Sequence, residues 1–274
     1  MPQTVLITGC SSGFGKLIAQ TFAAQGWNVA ATMRRPEAET DLVNGESMLV
    51  TRLDVTEPGS IDTALRITLD RFGGLSAVVN NAGYGGHFVF EQAPDEVVRA
   101  MFETNVFGTM NVCRAALPLL RAGGAGSIVN VTSMAGMMAL PLGAAYSATK
   151  YALEGFTEGL AIDYRPFGIT VRSVLPGAYP TAFTANTDNH LELGDAELVE
   201  FATKVRATMD ARFGGRTEPQ DPQEVADLVY ACATEDERPT HNPSGADAHM
   251  LVGLMASTER DEFIDRIREM FEIG

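Results

Sequence analysis

A tyrosine and a lysine stand four residues apart in "AAYSATKYAL", residues 144–153, among small and apolar neighbours. In a helix, positions i and i+4 share a face, so Tyr146 and Lys150 become stacked neighbours. A cation beside a phenol favours the phenolate, so Lys150 would lower the phenol from an ordinary pKa of about 10 and suit it to proton transfer. An amphipathic helix can also carry such a pair on its exposed face, and the spacing alone does not choose between the two. A second candidate for chemistry is "TGCSSGFG", residues 8–15. Glycines 9, 13 and 15 between an apolar segment and a helix let the backbone approach a phosphate resting on the helix N-terminus. Their spacing is TGxxxGxG rather than GxGxxG, and such glycines also serve turns that need a positive φ.

The elements that must position these residues alternate in type. TVLIT (4–8) is β-branched and apolar, too short for a helix, and bounded by Gly9. From Gly15 onward Leu17, Ile18, Thr21 and Phe22 recur at helical spacing until Gly26. Further strands are expected at 28–33, 47–55, 76–83, 127–133 and 169–177. Helices are expected at 60–72, with Ser60 as its N-cap, at 95–121 and at 145–164. Strand and helix in regular alternation, with near-continuously apolar strands, indicate an α/β fold with a parallel sheet covered on both faces. Residues 178–220 break the alternation with a turn-rich piece, an acidic helical piece and the loop FGGRTEPQDP. An insertion of that length reads as a lid or binding segment within an otherwise single domain spanning 1–274.

Composition narrows the class of function. The 274 residues are 45% apolar and 20% charged, as in a globular protein, and no run approaches the roughly 20 apolar residues that span a bilayer. The N-terminal MPQTVLITG lacks a basic region before its apolar segment, so no cleaved signal peptide is expected. Cys10, Cys113 and Cys232 have no metal-ligand spacing and read as reduced thiols of a cytoplasmic protein; no metal site is expected. The net charge of −15 argues against nucleic acid or an anionic membrane as partner. An anionic ligand would therefore need local devices: backbone N–H groups, a helix N-terminus and a few placed cations.

Taken together, TGxxxGxG at 8–15, Asp54 in "LDVT", NNAG at 80–83, Asn105, Ser133, YxxxK at 146–150, and PG with a following threonine at 176–181 resemble the short-chain dehydrogenase/reductase family. The resemblance runs from residue 4 to about 235, and "TGCSSGFG" with "VAATMRRP" is most similar to members acting on steroids, retinoids and other apolar alcohols. It implies a Rossmann-like, doubly wound sheet and an enzyme that interconverts a bulky ketone and a secondary alcohol with a nicotinamide cofactor. Tyr146 would be the general acid or base. Lys150 would lower its pKa and hold the cofactor ribose, Ser133 would hydrogen-bond the substrate oxygen, and Asn105 would hold a water that continues the proton path.

The implied cofactor residues are Gly9, Ser11, Ser12, Gly13, Phe14, Gly15, Asp54, Val55, Asn81, Ala82, Gly83, Tyr146, Lys150, Pro176, Gly177 and Thr181. Asp54 would bond the adenine amino group, although an aspartate there can also be a capping residue. Met33 stands where NAD-dependent relatives carry a carboxylate, and Arg34 and Arg35 follow, so two guanidiniums are available to a 2′-phosphate and the implied cofactor is NADP. Candidate substrate contacts are Ser133, Met137, Met138, Leu142, Tyr179 and Phe183, an adaptable apolar lining; His87 reads as a structural or exposed histidine. The helices at 95–121 and 145–164, with Ala145, Ala148, Ala152 and Phe156, resemble the pair through which family members form dimers and tetramers. An NAD-dependent enzyme and a cofactor-binding regulator without catalysis are the competing readings.

Overall fold

The computed structural model describes residues 2–180, 188–189, 194–214 and 219–273. β1 (Thr4–Thr8), β2 (Asn28–Met33), β3 (Met48–Arg52), β4 (Ala77–Asn80), β6 (Gly126–Val131), β7 (Ile169–Pro176) and β9 (His241–Ser244) form one parallel sheet in the order β3-β2-β1-β4-β6-β7-β9. A two-residue strand β5 (Gly86–His87) pairs with β8 (Asp188–Asn189) apart from it. The helices are α1 (Gly13–Ala24), α2 (Pro58–Phe72), α3 (Asp95–Phe102), α4 (Thr109–Ala122), α5 (Ala144–Tyr164), α6 (Ala196–Gly214), α7 (Gln223–Thr234), α8 (Ala246–Ala256) and α9 (Arg260–Met270).

β1 shows why the central strands are apolar throughout. Val5 and Ile7 face a core layer with Ile18 and Phe22 of α1 and Val225 and Val229 of α7. Leu6, between them, faces the opposite layer with Ile61 and Leu65 of α2, Val112 and Leu120 of α4, and Leu160 of α5. Alternate side chains of one strand thus enter two cores, and neither face tolerates polarity. A third cluster joins Met134, Met138 and Leu142 to Val205 and Met209 of α6, Leu251 of α8 and Phe263 of α9.

The chain leaves β1 for β2 and β3 on one side and returns to β4, β6 and β7 on the other. The loops after β1 and β4 consequently part at the C-terminal edge of the sheet, the place where a doubly wound sheet opens a crevice. Two features pull this edge together. Asn80 Nδ2 donates to Asn130 Oδ1 at 2.8 Å, and Asn130 Nδ2 donates to Thr157 Oγ1 on α5 at 2.8 Å. Asn81 Nδ2 donates to the carbonyls of Thr8 and Gly9 at 3.0 and 3.1 Å, which fastens the turn after β4 to the turn after β1.

Several boundaries differ from the sequence expectation. The expected helix 95–121 is interrupted by a π-helical turn at Glu103–Gly108, where Gly108 lies so close to Val55 that a Cβ would stand 2.6 Å from Val55 Cγ2. Ser60 is not the N-cap of α2: the helix starts at Pro58 after Glu57, and the Ser60 hydroxyl accepts from Asp54 N at 2.9 Å and Arg52 Nη1 at 3.2 Å. Of the helix residues considered for assembly, Ala145 is buried within the chain and Ala148 is exposed. All three cysteines are buried and free. No helix among the described residues is long and apolar enough to cross a membrane.

The Gly-rich turn is packed backbone against backbone. Gly9 has φ +75, and a Cβ on Gly15 would lie 2.2 Å from Gly9 O and 2.5 Å from Asn81 Nδ2, so α1 can pass there only as glycine. Gly15→Ala is expected to cost about 1–3 kcal/mol and lower the melting temperature by roughly 2–12 °C. Gly253→Ala in α8, where nothing lies within 4 Å, is expected to leave it unchanged or raise it. Equal melting temperatures for the two variants would contradict the packing reading of Gly15.

Candidate active site

The catalytic candidates converge where β6 ends against α5. Ser133 follows β6 and caps a short 3₁₀ turn, Met134–Gly136, its Oγ accepting from Ala135 N at 3.1 Å. The same hydroxyl hydrogen-bonds the phenol of Tyr146. Lys150, one turn further along α5, lies with Nζ 5.6 Å from the centroid of the Tyr146 ring and 3.4 Å from Val131 O. The sequence spacing therefore does place phenol and ammonium on one helical face, and that face is turned inward.

Burial dominates the electrostatics of the pair. Desolvation pushes the Tyr146 phenol up to about 12, with the Ser133 hydrogen bond working against the rise. The protein alone does not show the lowering of the phenol expected from Lys150: desolvation leads and the net shift is upward. Desolvation also pushes Lys150 down to about 8, opposed by the charge of Glu154. At neutral pH the site thus holds a protonated phenol beside an ammonium.

Asn105 is fully buried in the π-helical turn. Its Oδ1 accepts from Tyr84 N at 3.0 Å, and its Nδ2 donates to Tyr84 O at 2.9 Å and Thr149 Oγ1 at 3.1 Å. The side-chain amide thus fastens the segment after NNAG to α5. Gly83 fits between them: a Cβ there would stand 3.0 Å from Asn105 Oδ1 and 3.8 Å from Lys150 Nζ.

At the other end of the crevice α1 begins after Ser12, whose side chain makes no capping bond. Ser11 and Ser12 are exposed. Lys16, the cation nearest in sequence to the Gly-rich turn, is already paired with Glu39 at 3.0 Å and Asp41 at 2.7 Å. Arg34 and Arg35 follow β2, are exposed, and make no side-chain hydrogen bond or ion pair among the described residues. The charge of Arg34 is nevertheless felt at Asp54. Burial works against the Asp54 carboxylate, but hydrogen bonds from Thr56 and the charges of Arg34 and Arg52 outweigh it and hold the carboxyl below its ordinary range. Asp54 Oδ1 accepts from Thr56 N at 3.0 Å and Oγ1 at 2.8 Å, so it does cap a turn. Met33 is only 2% exposed and points into the core, which makes Arg34 the first solvent-facing side chain after the strand.

A cavity of about 230 Å³ opens beside Ser133, Tyr146 and Lys150. Of the other sequence candidates, Phe14, Asn81, Gly83, Pro176, Gly177 and Tyr179 also line it. Tyr179 is held by an edge contact with Phe14, ring centroids 5.5 Å apart, and by hydrogen bonds of its hydroxyl to Ser244 Oγ and Glu224 Oε2. Met137, Met138 and Leu142 do not line it. Met138 is fully buried in the third cluster, and Leu142, at φ 59, turns its side chain into the same cluster. Val55 and Ala82 pack into the second core, so only their backbone could meet a ligand. Thr181 and Phe183 lie outside the described residues.

The apolar wall comes instead from Met134, Leu140 and Pro141 and, across the cleft, from Met209 and Phe213 of α6. His87 also lines the cavity: desolvation pushes it down to about 4, and its Nδ1 is buried without a hydrogen-bond partner among the described residues. Nothing in the local sequence marks Met209 or Phe213, because only the fold returns α6 to the cleft. Among the described residues no cluster of His, Cys, Asp and Glu could hold a metal ion.

A doubly wound sheet with a Gly-rich turn after its first strand thus carries a Ser–Tyr–Lys set, its lysine buried and its two hydroxyls part-buried, beside an apolar cavity: a Rossmann-like fold with a candidate catalytic site. The chain matches the family described as short chain dehydrogenase over residues 3–192. It is 42% identical over 185 residues, 68% of this chain and 67% of the relative, to the 3-ketodihydrosphingosine reductase of Bacteroides thetaiotaomicron. A short-chain dehydrogenase from Streptomyces avermitilis superimposes with a TM-score of 0.84 at 33% identity, covering 97% of this chain and 96% of that one. A short chain dehydrogenase from Burkholderia cenocepacia in complex with NADP does so with a TM-score of 0.77 at 26% identity, covering 97% of both. The chain belongs to the short-chain dehydrogenase family and is an oxidoreductase acting on CH–OH groups.

Proposed function

We propose that the enzyme interconverts a bulky, largely apolar ketone and its secondary alcohol with NADP(H), using Tyr146 as general acid and base. The observation that carries this reading is the hydroxyl pair Ser133–Tyr146 set over a desolvated Lys150 in the wall of an apolar cavity. The bound nicotinamide supplies or accepts the hydride. In the reducing direction Tyr146, which holds its proton at neutral pH, gives it to the carbonyl oxygen, and Ser133 donates a hydrogen bond to that oxygen as negative charge grows on it. The ammonium of Lys150 then faces a forming phenolate and stabilises it. Asn105 keeps Tyr84 and Thr149 in register with Lys150 and is a positioning residue. A relative named for reducing a keto group supports the ketone class, and the Met and Phe wall supports an apolar substrate body.

NADP over NAD rests on charge. In a chain of net charge −15, Arg34 and Arg35 stand after β2 without an ion-pair partner among the described residues, while Lys16 is paired with two carboxylates. The residues fit a dinucleotide carrying a 2′-phosphate: the open N-terminus of α1 suits the diphosphate and the guanidiniums suit the 2′-phosphate. An NADP-bound structural relative supports the same choice. The segment 178–220 contributes Tyr179, Met209 and Phe213 to the wall, and we read it as the substrate-facing part of one catalytic domain.

Two measurements test these assignments. Tyr146→Phe keeps the ring and removes the transferable proton, so kcat for ketone reduction is expected to fall by roughly 10²–10⁴-fold while cofactor affinity changes little. Near wild-type turnover would remove Tyr146 from the mechanism, and cofactor binding with no turnover of any ketone or alcohol by the wild type would favour the regulator reading. A hydrogen bond to a charged group contributes about 1.5–3 kcal/mol, so Arg34→Ala is expected to raise KM for NADPH about 10- to 100-fold and leave NADH unchanged. Arg34→Asp goes further by offering the ribose an acceptor, whereas a carboxylate at Met33 would be buried in the core. Equal losses with both cofactors would make Arg34 structural, and a wild type that prefers NADH would overturn the NADP reading.

A further inference from the structure

Glu154 stands one turn beyond Lys150 on α5 and is 4% exposed. Its Oε2 accepts a hydrogen bond from Ser173 Oγ on β7 at 2.7 Å and meets His241 Nδ1 on β9 at 2.7 Å. Ser173 and His241 are register partners on adjacent strands, so the sheet presents both to the same oxygen. Oε1 is buried and has no hydrogen-bond partner among the described residues. His241 Nε2 meets Glu158 Oε1 at 2.9 Å on the solvent side. On the other flank the helix closes on Gly136, in the turn after Ser133, where a Cβ would lie 2.8 Å from Glu154 Cγ and 3.0 Å from Lys150 O.

A buried carboxylate with one oxygen unsatisfied is costly, and an apolar side chain of similar volume is often neutral or stabilising in such a place. Its bonds to Ser173 and His241 tie α5 to β7 and β9 but leave Oε1 unsatisfied. Lys150 gives a further reason to keep the charge. It is buried in the same stretch of helix, desolvation works against its ammonium, and an acidic neighbour at i+4 opposes that loss. The charged or titratable groups facing Glu154 are Lys150 and Glu158 on α5 and His241 on β9, with the Ser173 hydroxyl from β7; the turn Met134–Gly136 brings none.

We propose that Glu154 is a positioning residue of the active site, its buried carboxylate fixed by Ser173 and His241 so that it keeps Lys150 charged beneath Tyr146. His241 modulates the hold. Its hydrogen bond to Glu154 leads the effects that raise it above 6.5. Below its titration the imidazolium offsets part of the Glu154 charge. As pH rises through it the proton is lost, and the carboxylate acts on Lys150 less opposed. The importance of Glu154 for turnover rests on the proposed role of Lys150, whereas its coupling to Lys150 does not.

The chain has three lysines, Lys16, Lys150 and Lys204, so ¹³C-lysine NMR of the cofactor-free protein can follow Lys150 alone, with Lys16→Arg and Lys204→Arg supplying the assignments. Lys150 is expected to titrate near 8 in the wild type, as its burial dictates. Glu154→Gln is expected to lower that midpoint by about one pH unit. Glu154→Asp restores most of the difference, and Ser173→Ala moves the midpoint in the same direction by less. A folded Glu154→Gln whose Lys150 midpoint is unchanged or higher overturns the proposal. Should that variant fail to fold, Glu154→Met removes the charge without leaving an unpaired amide, and the same two outcomes decide. A lowered midpoint together with full turnover by Tyr146→Phe would leave the coupling standing and remove the proposed function instead.

Discussion

Everything at this site depends on taking a phenol and an ammonium out of water together. Desolvation alone would suppress both charged forms, and it does so here: Tyr146 is driven up to about 12 and Lys150 down to about 8. The result is a narrow allowed state at neutral pH, a proton on each group. In the proposed mechanism that state suits giving a proton to a carbonyl oxygen, because the phenolate left behind would form next to an ammonium in a poorly screened pocket. The surrounding polar network serves to hold that geometry. Asn105 pins α5 to the segment after β4, the Asn80–Asn130–Thr157 chain ties α5 through β6 to β4, and Glu154 sits beneath Lys150.

The opposite end of the crevice poses a different problem, because the proposed cofactor is a polyanion and the chain is acidic. Its devices are local. Close packing of Gly15 on Gly9 brings the start of α1 to the edge of the sheet, and the neighbouring Lys16 is spent on Glu39 and Asp41. Two arginines are left after β2 without carboxylate partners among the described residues. Asp54 lies within the field of Arg34 and accepts from Thr56, which makes it a turn-former.

What the sequence disclosed follows physical lines. The strands were legible because β1, β4, β6 and β7 are buried on both faces and read as apolar runs; helical spacing put Tyr146 and Lys150 on one face, and only the family resemblance added Ser133 to them. Burial on both faces also hid something: it gives no clue which way the last residue of β2 turns, and Met33 turns inward. The substrate wall was the least legible part. Met138 and Leu142 carry the right side chains at the right place in the chain, but the 3₁₀ turn after Ser133 and the left-handed backbone of Leu142 send them into the core. Met209 and Phe213 reach the cleft only through tertiary packing of α6 against α8 and α9. The π-helical turn holding Asn105 has no period of its own in the sequence and reads as plain helix.

The central claim is that a desolvated ammonium beneath a protonated phenol governs turnover. It is tested most directly by the pH dependence of kcat/KM for NADPH in ketone reduction, which reports the groups of the free enzyme. The phenol remains protonated throughout the accessible range, so the account predicts a single falling limb, with its midpoint near 8 where Lys150 loses its charge. A profile that stays flat to about pH 9.5, or that rises across the same interval, would contradict it.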